Sequence, residues 1–394
     1  MKNSRFNFVF VVMFISLFSS CKKNTENNII EIIEVNSTTT VSISDLFEKF
    51  DIIQLATTDS SLIGLQIEKV ELYENKIFML NRMYSHKNIL CFDFDGNFLF
   101  KIDQIGHGPQ EYTYLGDFFI DKPKERIIIQ SENNRHLFFG LDGKYIDETT
   151  GEDEYFARQI LFLNDSSLVA CNDAQIIPFG YNLLEVNSET FNIKNKSNRI
   201  KEVFDNSGFF PLATHAKQML YYSTNDTIYD ITHFNKEKAI YYVDFGKSQR
   251  KLKDALPPMT SENYEEISES IISAFKNEKI IFVHSLFENS SWIALSLLKY
   301  EAPRGSIFSF ILYDKNKKCS YASEHIIFDT MNLSELKDIK VIGCDEDKIL
   351  LMINHEFSNK DKIKIKECHK LSNEAKEILI ERTFDDNPLL IILK

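Results

Sequence analysis

The sequence predicts an all-β protein, a six-bladed β-propeller with a helical insertion between blades four and five; seven blades would also fit the length. Three observations carry this. Short apolar runs alternate with turn residues along the body, as in Lys76–Asn81 (KIFMLN), Asn88–Asp93 and Phe98–Ile102. Asp-Gly pairs join such runs at Asp95-Gly96 and Asp142-Gly143, where a tight hairpin needs positive φ. The unit also repeats, because the second Asp-Gly follows the first by 47 residues with an aromatic on each side.

Four antiparallel strands in about 40 residues make one blade. The first spans Ile67–Leu72, Lys76–Asn81, Asn88–Asp93 and Phe98–Ile102. Arg126–Ile129 repeats Lys76–Met79 after 50 residues and opens the second strand of the next blade. Later units fall at Arg158–Ile193, Phe210–Phe245, Ile280–Ser323 and from Ile339 to the C-terminus. Thr260–Phe275 places Tyr264, Ile267, Ile271, Ile272 and Phe275 at helical spacing behind Pro257-Pro258. That is the helical insertion, either a lid over one face or a surface element packed on a blade. A second short helix is expected near Asn373–Glu381. Ile52–Leu55 and Leu389–Leu393 lie outside the blade count and are expected to pair in the last blade, since an open ring would expose sheet edges.

The N-terminus is kept apart from the fold. Lys2 and Arg5 precede an apolar run, Phe6–Phe18, shorter than the roughly 20 residues of a spanning helix. Phe18-Ser19-Ser20-Cys21 then resembles a lipobox, with Phe18 where Leu is commoner. Residues 1–20 are expected as a lipoprotein signal peptide, Cys21 as the lipid attachment site, 21–45 as a tether and 46–394 as the propeller. Removing 1–20 takes away Lys2 and Arg5 and no acidic residue, so the charge moves from −13 to −15. That acidity, with no Lys/Arg-rich block, argues against nucleic acid. The residues after Cys21 lack a dense acidic run, which favours a periplasm-facing position at the outer membrane.

The other five cysteines, Cys91, Cys171, Cys319, Cys344 and Cys368, show no CxxC spacing, so neither a disulfide framework nor a zinc knuckle is expected. Cys91 and Cys171 sit in apolar runs and read as buried core thiols. The most distinctive local motif is Gly106–Tyr112 (GHGPQEY). It is a candidate ligand loop through His107, Gln110, Glu111 and Tyr112. The bland alternative is a turn that its glycines and Pro109 shape and Tyr112 anchors. His86 and His136 lie 50 apart, but at unequal distances from their Asp-Gly turns, so they do not share a position in their blades. No metal site, cofactor or catalytic set is assigned. Asp93 and Asp95 beside Gly96 read as turn chemistry before calcium ligation.

Several motifs also resemble a known family. Ile53–Asp59 (IQLATTD) followed by Leu62-Ile63-Gly64, the Gly106–Tyr112 turn, Asn225–Tyr229, Val243–Gly246 and Asp386-Asn387-Pro388 are similar, in that order, to segments of the six-bladed β-propeller lipoprotein family of Bacteroidota. That family is related in fold to NHL-repeat propellers. Its members commonly carry Glu where this chain has Ala56. The likeness runs from about Leu46 to Lys394 and implies the propeller and the lipid anchor. It brings no established reaction. The expected function is a membrane-anchored binding or scaffolding platform for a protein or glycan partner. The alternatives are an NHL-type metal-dependent lyase or lactonase and a structural subunit of an envelope complex.

Overall fold

The computed structural model describes residues 30–35, 41–64, 66–153, 155, 157–172, 181–199, 210–213, 218–222, 226–246, 281–301, 305–323, 326–328, 331–332, 339–345, 347–354, 357–369 and 371–394. The signal segment, Cys21 and the helix expected at 260–275 lie outside them, as does the side chain of Cys171.

Six four-stranded antiparallel sheets follow one another along the chain. Blade one is Gln66–Tyr73, Lys76–Arg82, Lys87–Asp93 and Phe98–Ile102. Blade two is Asp117–Asp121, Arg126–Gln130, Arg135–Gly140 and Tyr145–Thr150. Blades three, four and five open at Ala157, Phe210 and Ile281. The first strands of consecutive blades touch in turn, and that of blade six, Ile339–Asp345, returns to Gln66–Tyr73. The ring is therefore closed, as the repeat predicts.

Each blade is covered on both faces by its neighbours. Its middle strands are accordingly continuous apolar runs with no strict alternation. Ile77, Phe78, Met79 and Leu80 are all buried. Ile77 and Met79 pack towards blade six, and Phe78 and Leu80 towards blade two. Cys91 lies in the blade one–two core, as expected.

The Asp-Gly repeat marks one structural position. Gly96 has φ +85°, and a Cβ there would stand 2.3 Å from the carbonyl oxygen of Gln54, in the outermost strand of blade six. Gly143 has φ +77°, and its Cβ would meet Phe100 in the outermost strand of blade one at 2.4 Å. Both turns press on the preceding blade, so positive φ and the missing side chain are needed together.

Closure joins the two ends as predicted. Leu389–Leu393 pairs with Lys348–Ile353 on one side and with Phe50–Gln54 on the other, in register from Leu389↔Gln54 to Leu393↔Phe50. Every residue of Leu389–Leu393 is buried.

Two features depart from the expected outline. Part of the segment read as a tether, 21–45, is ordered. Glu31–Glu34 adds as a parallel fifth strand to the outer edge of blade four, and Val41–Ser42 pairs with Ile326–Ile327. Ile33 inserts into the blade four–five core, while Tyr313 and Lys318 of blade five bond the Glu31 carboxylate at 3.0 and 2.7 Å. Phe47 then packs at a tilt against Trp292 with ring centroids 5.1 Å apart. The chain thus straps the perimeter of blades four to six before closing the ring.

The second departure is a helix at Asn359–Glu367, which precedes the expected helix Asn373–Glu381. The first is held by a capping box: Ser358 Oγ accepts from the Asp361 N–H, and Asp361 accepts from the Ser358 N–H. Both helices pack through Ile365, Ala375 and Leu379 onto the core of blade six.

Candidate functional site

Strand direction places the connections 55–64, 83–86, 103–116 and 354–388 at one face of the ring, and the tight hairpins at the other. The Gly106–Tyr112 motif lies in this loop-bearing face, between blades one and two. Its frame is internal. Tyr112 is 1% exposed, and its hydroxyl lies 3.3 Å from the carbonyl oxygens of both Lys87 and Ile102. Glu111 turns its carboxylate back to accept from the Gly108 N–H at 2.8 Å. A Cβ on Gly106 would fall 2.0 Å from that carboxylate, so the folded-back Glu111 requires glycine there. Arg135 Nη1 donates to the Glu111 carbonyl at 2.7 Å, and the same guanidinium forks onto Glu148.

Of the four candidate residues, His107 and Gln110 are exposed, while Glu111 and Tyr112 form the frame that presents them. Gln110 takes φ +71° at the tip.

Other connections on this face are stapled by buried amides. Asn81, 0% exposed, accepts from the Gly64 N–H at 2.8 Å and donates to Asn88 Oδ1 at 3.0 Å. Asn387, 2% exposed, ties the opening segment to the closing one. Its Nδ2 donates to Ala56 O and Ser61 O at 2.8 and 2.9 Å, and its Oδ1 accepts from the Ile63 N–H at 2.9 Å. Two motifs from opposite ends of the chain therefore form one junction. Sequence spacing could not reveal this, because their contact is created by ring closure.

On this scaffold stand apolar side chains that the fold leaves in solvent: Leu62 at 47%, Tyr84 at 90%, Ile105 at 43% and Tyr114 at 41% exposure. Lys87 Nζ lies 5.8 Å from the Tyr114 ring centroid. His86 sits in the turn beside Tyr84, with Nε2 3.1 Å from Asp103. Exposed apolar groups carried on the loops of one face are the usual mark of an interaction surface.

The axis carries a different kind of chemistry. Lys69 of blade one extends to Asp117 of blade two at 3.2 Å and to Glu71 at 3.3 Å. Asp117 Oδ2 also accepts from the Ile160 N–H of blade three at 2.8 Å. Burial opposes the charge on Lys69, but the carboxylates of Asp117 and Glu71 outweigh it and raise its pKa. One buried pair thus stitches three inner strands. Among the described residues, no cluster of three or more His, Cys, Asp or Glu side chains could hold a metal ion.

His136 is structural. It stacks on Phe191 with centroids 3.7 Å apart, its Nδ1 faces Asn134 O at 3.1 Å, and it is fully buried. Burial depresses its pKa to about 3. A depressed base stabilises the fold above its unfolded pKa, near 6.5, and loses that contribution as pH falls towards 3. We expect stability to drop by about 2 kcal/mol between pH 6.5 and 5 from this residue alone. Denaturant titrations at the two pH values check it: His136→Phe should remove that part of the slope, and an unchanged slope would refute the assignment. Asp93 is turn chemistry, accepting from the Asp95 and Asn97 N–H groups at 3.0 and 2.8 Å.

Fold and site together define a six-bladed β-propeller with an exposed apolar loop face. Residues 27–394 match the family described as a domain of unknown function, DUF4934, and the chain belongs to that family. No curated protein matches. Among solved structures, a Bacteroides fragilis protein described as exported is 19% identical with a TM-score of 0.69, covering 92% of this chain and 99% of its own. A member of the DUF4221 family from Bacteroides vulgatus is 12% identical with a TM-score of 0.51, covering 91% of this chain and 98% of its own. At these identities the likeness is one of fold.

Proposed function

We propose that this chain is an exported envelope lipoprotein whose loop-bearing face is a platform for a protein or glycan partner. The carrying observation is the set of solvent-facing apolar side chains, Leu62, Tyr84, Ile105 and Tyr114, on connections of one face, where buried Asn81 and Asn387 hold the segment bearing Leu62 and Tyr112 and Arg135 hold the loop bearing Ile105 and Tyr114. His107 and Gln110 supply polar contacts beside them. Rigid aromatic anchors among adaptable polar groups give binding with little ordering cost. The address is proposed as the outer membrane, facing the periplasm, through a lipidated Cys21. The signal pattern before Cys21 and the exported B. fragilis relative support that address.

Photo-crosslinking in cells tests the platform. A crosslinker at Tyr84 should capture a discrete partner, and one at Ile146, exposed in the outer strand of blade two, should not. Equal capture at both positions, or none at Tyr84, would refute the platform.

A further inference from the structure

The chain carries a formal charge of −13, and many of its lysines are matched to a carboxylate. Lys87 meets Glu68 at 2.6 Å, Lys315 meets Glu288 at 2.7 Å and Lys318 meets Glu31 at 2.7 Å. Helix Asn359–Glu367 breaks this habit. It bears Lys360, Lys362, Lys364 and Lys366, and among the described residues none of the four has a carboxylate partner.

Helical geometry sorts them. At about 100° per residue, buried Asp361 and Ile365 point to the body, and Ile363 points directly away. Ile363 is 59% exposed. Lys360 and Lys364 flank it on one side, Lys362 and Lys366 on the other. Each flank is a like-charged pair four residues apart, an arrangement that repels and weakens a helix unless something neutralises it. The capping box and the core contacts of Ile365 hold the helix against that repulsion.

We propose that this helix is a docking face for an anionic lipid surface. Lysine charge would serve any polyanion, but the aliphatic group at the centre of the lysines favours a bilayer. Ile363 can enter the headgroup layer while the lysines reach the phosphates at its sides. Phe384, 78% exposed in the turn after the second helix, adds a further apolar group on the same excursion. The second helix packs against Phe50–Gln54, the outer strand of blade six, and the lysine-bearing helix packs against the second. The overall negative charge does not cancel the attraction, because charges beyond about 8 Å are screened at physiological salt. The proposal rests on the envelope location above for its setting, but its chemistry stands apart from the lipid anchor.

The test uses the chain from Lys22 to Lys394, which lacks the acylated cysteine and retains the complete ring and strap. Flotation is measured with vesicles of phosphatidylcholine and phosphatidylglycerol, and with phosphatidylcholine alone. Binding to the anionic vesicles only, reversed by high salt, is expected. Each lysine changed to glutamine should lower the partition coefficient by about fivefold, so K360Q/K364Q should lower it roughly 25-fold. Ile363→Ser should also weaken binding, whereas Lys144→Gln in the blade two hairpin should not. Unchanged melting of each variant shows that the fold is kept. No flotation at low salt, equal flotation of K360Q/K362Q/K364Q/K366Q, or binding to soluble polyphosphate without binding to vesicles would overturn the proposal. Membrane release of a Cys21→Ser protein in cells reports on the anchor separately.

Discussion

Replacing Asn387 by alanine is expected to destabilise the propeller by about 3–6 kcal/mol. The substitution removes little volume, so the loss comes from hydrogen bonding. Ala56 O, Ser61 O and the Ile63 N–H each lose their bond to one buried amide, and a stranded buried polar group costs about 1–3 kcal/mol. The site is also where the chain's two ends are joined, because Gln54 Nε2 donates to Asn387 O at 2.6 Å and the Asn387 N–H donates to Thr57 Oγ1 at 2.8 Å. Loosening it frees the edge between Leu389–Leu393 and Phe50–Gln54. Guanidinium denaturation would show a lower midpoint. Hydrogen exchange should show early opening of Phe50–Gln54 before the other blades. A midpoint within error of the parent would mean that the junction is dispensable.

The second large effect is expected at the axis. Lys69→Met should cost about 3–5 kcal/mol at neutral pH, because it leaves the Asp117 carboxylate buried without its cation. The pH dependence separates this from simple loss of packing. Burial pushes the Asp117 carboxyl upward, and with Lys69 gone nothing of opposite charge offsets it. A carboxyl whose folded pKa exceeds its unfolded value favours the fold at low pH and loses that advantage as pH rises through the folded value. The deficit of the variant should therefore be greatest near neutrality and shrink on acidification. Lys69→Met combined with Asp117→Leu should recover part of the loss, since replacing a whole buried pair costs less than breaking it. A deficit independent of pH, or no rescue in the double variant, would show that the pair is not what holds the three inner strands.

Where the sequence failed, the failures have physical causes. Helix Asn359–Glu367 contains the alternation Lys-Ile-Lys-Ile-Lys, a period of two that normally signals a strand. Its only fully buried isoleucine is Ile365, and the Ser358–Asp361 capping box outweighs the alternation. The strap Glu31–Glu34 is four residues long with one inward side chain, Ile33, too short to give a periodic signal. The exposed apolar side chains of the loop face were equally hidden. Leu62, Tyr84, Ile105 and Tyr114 look like ordinary core residues until the fold leaves them outside. The Gly106–Tyr112 motif stood out in the sequence, but its division into exposed His107 and Gln110 and inward Glu111 and Tyr112 depended on the blade one–two interface.

The sequence by itself determined the blade. Local apolar runs and the Asp-Gly turns specify hairpins, and hairpins are interactions between near neighbours in the chain. The 47-residue recurrence determined the ring, because each blade must cover its two faces with copies of itself. It also determined the closing strands, since Ile52–Leu55 and Leu389–Leu393 had no other sheet to join. Tertiary structure alone decided which polar groups meet across the ring: Lys69 with Asp117, Asn387 with Ala56 and Ile63, and Glu31 with Tyr313 and Lys318. It likewise decided which apolar side chains remain in water. Those partners lie tens to hundreds of residues apart, and no local propensity encodes a contact that exists only after the ring has closed.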